Sequence, residues 1–190
     1  RAGEPPSSRR RFTREGSPRV TDEAVPNIRS LKALRAAEAD CTRCPLYRNA
    51  TQVVPGEGPA RARMMMVGEQ PGDQEDRQGH PFVGPAGGIL AKALEEAGID
   101  RDKVFVTNAV KHFKFEPRGK RRLHKRPNAH EIDRCHLWFE FERKLIKPVL
   151  IVALGATAVR SVSGKPMTIG RIRGKVMPLE GGGRMLATVH

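Results

Sequence analysis

Apolar positions along the chain fall into short runs separated by polar, glycine-rich stretches. From Ile28 to Asp40 they recur at helical spacing, at Ile28, Leu31, Leu34 and Ala37. That pattern predicts an amphipathic helix running into Cys41-Thr-Arg-Cys44. Residues 63–67 are a compact apolar run closed by Gly68, as expected of a strand buried on both faces. Residues 86–97 have helical character, with Gly98 as the stop. A second strand is predicted over 104–107, ending at Asn108, and a long basic loop over 111–127. Asn128 caps a helix carrying Ile132, Cys135, Trp138 and Phe141. Residues 149–154 read as a third strand, which Gly155 turns into a helix from Ala156 to about Val162. An edge strand is expected within 171–178, and a last strand over 185–189, ending at His190.

This alternation predicts an α/β fold of three layers, a mostly parallel central sheet flanked by helices. In such sheets ligands gather at the carboxyl ends of the strands. Glu69, Asn108 and His190 each follow a predicted strand, so the three polar side chains are expected to converge there. Residues 1–26 are rich in Arg, Ser, Pro and Glu and poor in apolar residues, and are expected to form a disordered basic extension. The domain then occupies 27–190. The chain stops directly after an apolar run, so its C-terminal part is expected to be truncated.

Charge adds a partner. Lys and Arg number 35 against 21 Asp and Glu, a net +14 over 190 residues. Such an excess favours a polyanion, because basic side chains placed on phosphates release condensed counterions. No apolar stretch approaches the roughly 20 residues that span a membrane. With no signal-peptide pattern, the chain reads as cytoplasmic and the partner as nucleic acid. Three cysteines do not make a disulfide framework. Cys41 and Cys44 have a C-x-x-C spacing, Cys135 supplies a third thiol from a helix, and His112 is the candidate fourth ligand. Spacing alone does not separate zinc from an iron–sulfur cluster.

The string from Gly68 to Gly87 carries the candidate chemistry. Its glycines let backbone approach a ligand, and its carboxylates can position a water. Phe82 is the aromatic residue of this string, as suits stacking on a base.

Taken together, Gly68-Glu-Gln-Pro-Gly72, Pro81-Phe-Val-Gly-Pro-Ala-Gly87, Thr107-Asn-Ala-Val-Lys111 and Ala187-Thr-Val-His190 resemble the iron–sulfur uracil-DNA glycosylases, family 4. Lys120-Arg-Arg-Leu-His124 resembles the inserted Lys-Arg-Arg-Ile-His motif of the UdgX branch, with Leu in place of Ile. The resemblance spans about residues 30–190. It implies a [4Fe–4S] cluster, held here by Cys41, Cys44, Cys135 and His112, the last standing where ordinary members carry a cysteine. It implies that Asn108 reads the uracil edge, that Phe82 stacks on the flipped base and that Gln70 holds its carbonyls. Glu69 is implied to assist at the sugar, and His190 to stabilise charge on uracil O2. Ordinary members follow that histidine with Pro-Ser. The UdgX branch implies that His124 itself attacks the sugar and stays bonded to it.

Lys111, Lys114, Lys120, Arg121, Arg122, Lys125 and Arg126 surround His124 in sequence. Cationic neighbours favour a neutral imidazole, and such a run is expected to grip DNA phosphates. The expected substrate is uracil-containing DNA, single-stranded by preference, and the expected state is a monomer. A conventional turning-over glycosylase and a non-catalytic nucleic-acid-binding module are the alternative readings.

Overall fold

The computed structural model describes residues 27–189. Its elements in order are α1 (Leu31–Ala39), β1 (Met64–Gly68), α2 (Asp73–Gln78), α3 (Pro85–Glu96) and β2 (Val104–Asn108). Then come β3 (Phe115–Arg118), β4 (Arg121–His124), α4 (Ala129–Ile146), β5 (Leu150–Leu154) and α5 (Ala156–Ser163). The short α6 (Ile169–Ile172), β6 (Val176–Pro178) and β7 (Arg184–Thr188) follow. The basic extension expected over residues 1–26, and His190, lie outside the described residues.

The central sheet has the strand order β2-β1-β5-β7-β6. Pairings β1–β2, β1–β5 and β5–β7 are parallel, and only the edge pair β6–β7 is antiparallel. Side chains alternate between the two faces of a strand, and here both faces meet apolar layers. Met65, Val67, Phe105, Ile151 and Ala153 pack with Phe139 and Ile146 of α4 and Ala158, Val159 and Val162 of α5. Their neighbours Met66, Val106 and Val152 pack with Leu90 and Leu94 of α3 on the other side. The three-layer α/β architecture is therefore as expected. Both faces being covered is why these strands read as continuous apolar runs.

α1 begins at Ser30, whose side chain accepts a hydrogen bond from the Ala33 amide at 3.1 Å. It lies against α4, with Leu34, Ile132 and Trp138 in a satellite core. Asn128 caps α4, and Glu131 completes the cap by accepting from the Asn128 amide at 2.7 Å.

Two stretches differ from the expected loops. The acidic segment after β1 contains α2, closed at Gly79. The basic loop contains a separate antiparallel hairpin, β3–β4, turning through Gly119 and Lys120. At the other end, the predicted strand over 171–178 is only β6, because Ile169–Ile172 is helical.

Candidate active site

Register places the ends of β1 and β2 side by side, with Gly68 opposite Asn108. The pairing runs on past the strands, as the Ala109 amide donates to Gly68 O and the Val110 amide to Glu69 O. A cavity of about 350 Å³ opens there, lined by Gly68, Gln70, Phe82, Pro85, Asn108 and His124 among others. It is the size of a small planar ligand's pocket.

Close approach dictates its shape. A Cβ on Gly68 would fall 2.4 Å from Asn108 Oδ1 and 2.8 Å from Phe82 Cζ. No side chain fits there, so the Asn108 amide and the Phe82 ring meet over bare backbone. Phe82 itself has φ +58°, a left-handed backbone that bulky residues rarely adopt. Gly87 permits it, since a Cβ there would fall 1.8 Å from Phe82 O. Glu75, buried, ties the two loops together by accepting from the Gly84 amide at 2.7 Å and the Gly72 amide at 3.1 Å.

His124 reaches this cavity from the hairpin. Alternate residues of β4 share a face, which puts Arg122 and His124 on the same side. Arg122 anchors that side. Its guanidinium pairs with Asp73 and, at 2.5 Å, with Asp76. It also lies over the Phe113 and Phe115 rings, at 5.4 and 5.0 Å. Hydrogen bonds from Arg77 and Arg122 hold the Asp73 carboxyl below the usual carboxylate range. Gln70 ties down the hairpin's base. Its amide donates to Lys114 O at 3.0 Å and Lys125 O at 3.3 Å, and its Oε1 accepts from the Lys114 amide at 3.1 Å. His124 Nε2 thus stands 3.6 Å from Glu69 Oε1, with about half its side chain exposed.

Several expectations change as a result. Arg122 is not a free phosphate contact, because two carboxylates already hold its charge. The Gln70 side chain is likewise committed to the hairpin, so only its backbone is open to a ligand in the cavity. Lys111 does not surround His124. It is fully buried and paired with Glu142 at 2.8 Å, and it also donates to Thr107 Oγ1 and to Asn108 O. Lys114 pairs with Glu131 at 2.8 Å. Of the basic run, Lys120, Arg121, Lys125 and Arg126 are exposed. Lys125 pairs with Glu116, and Arg126 Nε lies 3.6 Å from Glu69 Oε2. The acid partners of Arg122 were missed in the sequence, although Asp73 and Asp76 lie one helical turn apart. Thr157, which bonds Glu69, carried no signal at all.

The three thiols share one apolar pocket beside Val110, Ile132 and Trp138. The Cys41 sulfur accepts from Trp138 Nε1 at 3.1 Å, and the Cys135 sulfur from the Lys111 amide at 3.2 Å. Burial pushes the Cys135 thiol up, Lys111 opposes this, and the neighbouring Cys41 and Cys44 add to it. His112 is buried as well, and burial lowers its basicity while the Asp76 carboxylate opposes that. Among the described residues, no group of three or more His, Cys, Asp or Glu converges on one metal ion. A four-iron cluster takes one protein ligand per iron, so its ligands ring a cage rather than meet at a point. Three buried sulfurs, two of them receiving N–H donors, are the donor type such a cluster takes, but no fourth ligand is gathered with them among the described residues. No helix among the described residues is long and apolar enough to cross a membrane.

A parallel sheet with its cavity at the strand ends, entered by a basic hairpin, points to the family. Residues 55–190 match the model of the uracil DNA glycosylase superfamily, and the chain belongs to that superfamily. Within it, the chain is similar to proteins named type-4 uracil-DNA glycosylase. It is 41% identical to that of Thermotoga maritima over 151 residues, covering 79% of this chain and 75% of the relative. The Pyrobaculum aerophilum protein is 37% identical over 149 residues, 76% of this chain and 72% of the relative. The Archaeoglobus fulgidus protein is 33% identical over 153 residues, 78% of this chain and 73% of the relative.

Proposed function

We propose that this protein excises uracil from DNA in repair, and that His124 then keeps the sugar as a covalent adduct. The observation that carries the second part is the place of His124. It is held on a clamped hairpin at the rim of the cavity, with Nε2 facing Glu69.

Uracil in a stacked strand must first be turned out into a pocket. Phe82 stacks on the base, and Asn108 bonds its edge, a pattern that cytosine's exocyclic amine does not match. As the glycosidic bond stretches, the base becomes an anion and the sugar an oxocarbenium-like cation. Donors fixed in the cavity favour the anion. The backbone amides of the Gln70 loop suit this role, and His190 is assigned to uracil O2. Glu69 Oε1 first takes the Nε2 proton, leaving the ring protonated on Nδ1; the lone pair freed on Nε2 then bonds C1′, and the Nδ1 proton passes to solvent afterwards. The C1′–N1 bond breaks, and its electron pair leaves on uracil. No water is consumed, and the protein does not turn over.

Cys41, Cys44, Cys135 and His112 would hold a [4Fe–4S] cluster, which would cross-link the segment after α1, α4 and the segment after β2. Lys120, Arg121, Lys125 and Arg126 would hold phosphates beside the lesion. The proposed substrate is single-stranded uracil-DNA, bound in the cytoplasm by a monomer.

The test mixes protein with a labelled single-stranded oligonucleotide carrying one uracil. A band that survives SDS and heat, stoichiometric with protein and absent in His124→Ala, is the expected result. Uracil released in molar excess over protein, with unmodified abasic DNA, would instead identify a turning-over glycosylase like the relatives' name. Salt-sensitive binding indifferent to uracil, with no release, would identify a binding module.

A further inference from the structure

The two carboxylate oxygens of Glu69 have different neighbours. Oε1 faces His124 Nε2 at 3.6 Å. Oε2 accepts a hydrogen bond from the Thr157 hydroxyl at 2.5 Å. Arg126 Nε lies 3.6 Å from that same oxygen and donates to Thr157 Oγ1 at 3.4 Å. These two partners are not equivalent. The Arg126 side chain is 67% exposed, so water and phosphate compete for it. Thr157 is 2% exposed, on the first turn of α5.

The backbone behind Thr157 is fixed. The Gly155 amide donates to Thr188 O at 3.0 Å, joining the start of α5 to the end of β7. Threonine is branched at Cβ, which leaves its hydroxyl few directions in a helix. The usual alternative is a bond to a carbonyl one turn back. Here the hydroxyl points across to Glu69. A glutamate at a strand end has three free torsions. One short bond from a buried, stiff side chain removes most of that freedom. With Oε2 held, Oε1 is the oxygen left to meet the histidine.

We propose that Thr157 is a positioning residue for Glu69, selecting the carboxylate oxygen that meets His124 and so setting the rate at which the sugar is captured. This rests on the roles proposed above for Glu69 and His124. Thr157 touches neither base nor sugar in this arrangement and acts only through the carboxylate.

The test uses the full chain at saturating concentration on a uracil-containing single-stranded oligonucleotide. Free uracil and SDS-resistant adduct are timed separately. Affinity is read on a 2′-fluoro-deoxyuridine oligonucleotide, which binds but resists cleavage. Thr157→Val keeps the shape and removes the hydroxyl; Thr157→Ala serves if that variant does not fold. The expected result is a rate lower by roughly 10- to 100-fold, the worth of one hydrogen bond to a charged group. Affinity should stay within about twofold, and Thr157→Ser should recover most of the rate. In a Glu69→Gln background, Thr157→Val should add little further loss. The proposal is overturned if Thr157→Val reacts as fast as wild type. It is also overturned if the valine slows Glu69→Gln as much as it slows wild type, or if Thr157→Ser does not recover. If wild type itself frees uracil without adduct, capture by His124 fails. The uracil-release rates then still decide the role of Thr157.

Discussion

At the scale of single residues, the cavity depends on an absence. Asn108 and Phe82 both press against the bare face of Gly68, within 2.4 and 2.8 Å of where a Cβ would sit. Gly68→Ala must therefore displace Asn108, Phe82, or both. A misplacement of this kind costs about 100-fold in rate. Single-turnover uracil release should fall by about that factor. The melting temperature should change little, since the clash lies at a cavity wall rather than in the core. A second residue, Glu38, is buried with both carboxylate oxygens unpartnered among the described residues. Its carboxyl is pushed up from 4.5 to about 8, chiefly by burial; Lys111 opposes this, Glu142 adds to it and Arg35 opposes it. The folded chain thus keeps a proton that the unfolded chain loses. Between pH 4.5 and about 8 stability falls as pH rises. Glutamine carries no such proton. Glu38→Gln should gain on wild type between pH 5 and pH 8, by about 1 kcal/mol or more, in urea titrations at the two pH values. A constant difference would mean that Glu38 does not titrate in that window.

At the scale of elements, the hairpin is the unit that delivers His124, and it was not legible in the sequence. Phe115-Glu-Pro-Arg and Arg121-Arg-Leu-His lack the alternation that marks a strand, and one carries a proline. Their pairing is secured from outside, by Arg122 on Asp73 and Asp76 and by Gln70 between the two arms. α2 was hidden for a related reason: Asp73–Gln78 has no apolar residue, so no period shows. The strands β1, β2 and β5 were legible because burial on both faces requires continuous apolar runs. The strand-end positions of Glu69 and Asn108 were legible too, since each stands where an apolar run stops. Roles that depend on long-range pairing, such as those of Arg122, Lys111 and Thr157, were not. Arg122→Met keeps bulk over the two phenylalanines and removes the ion pairs. Hydrogen exchange should quicken at the amides of β3 and β4 while the central sheet keeps its protection. Adduct formation should slow by about 10-fold or more, as His124 loses its fixed approach. Unchanged exchange in the hairpin would show that the clamp is dispensable.

At the scale of the whole molecule, a net charge of +14 is a statement about association, not about fold. Much of the basic loop is neutralised internally, through Lys111, Lys114 and Arg122. Lys120 and Arg121, at the hairpin turn, are exposed and have no ion pair among the described residues. They are the side chains most available to phosphate. Replacing both by Gln should weaken binding to single-stranded DNA with and without uracil alike. The slope of log affinity against log salt should become shallower by about 0.7 for each phosphate that is no longer neutralised. A weakening confined to uracil-containing strands would place these residues at the base instead.

All three scales meet at one proposed bond, between His124 and the sugar. The direct measurement is mass spectrometry of the digested protein after reaction with a uracil-containing single-stranded oligonucleotide. The expected result is one modified peptide, carrying the abasic sugar on His124, with one uracil released per protein. An unmodified His124 peptide, or an adduct on a lysine, would contradict it.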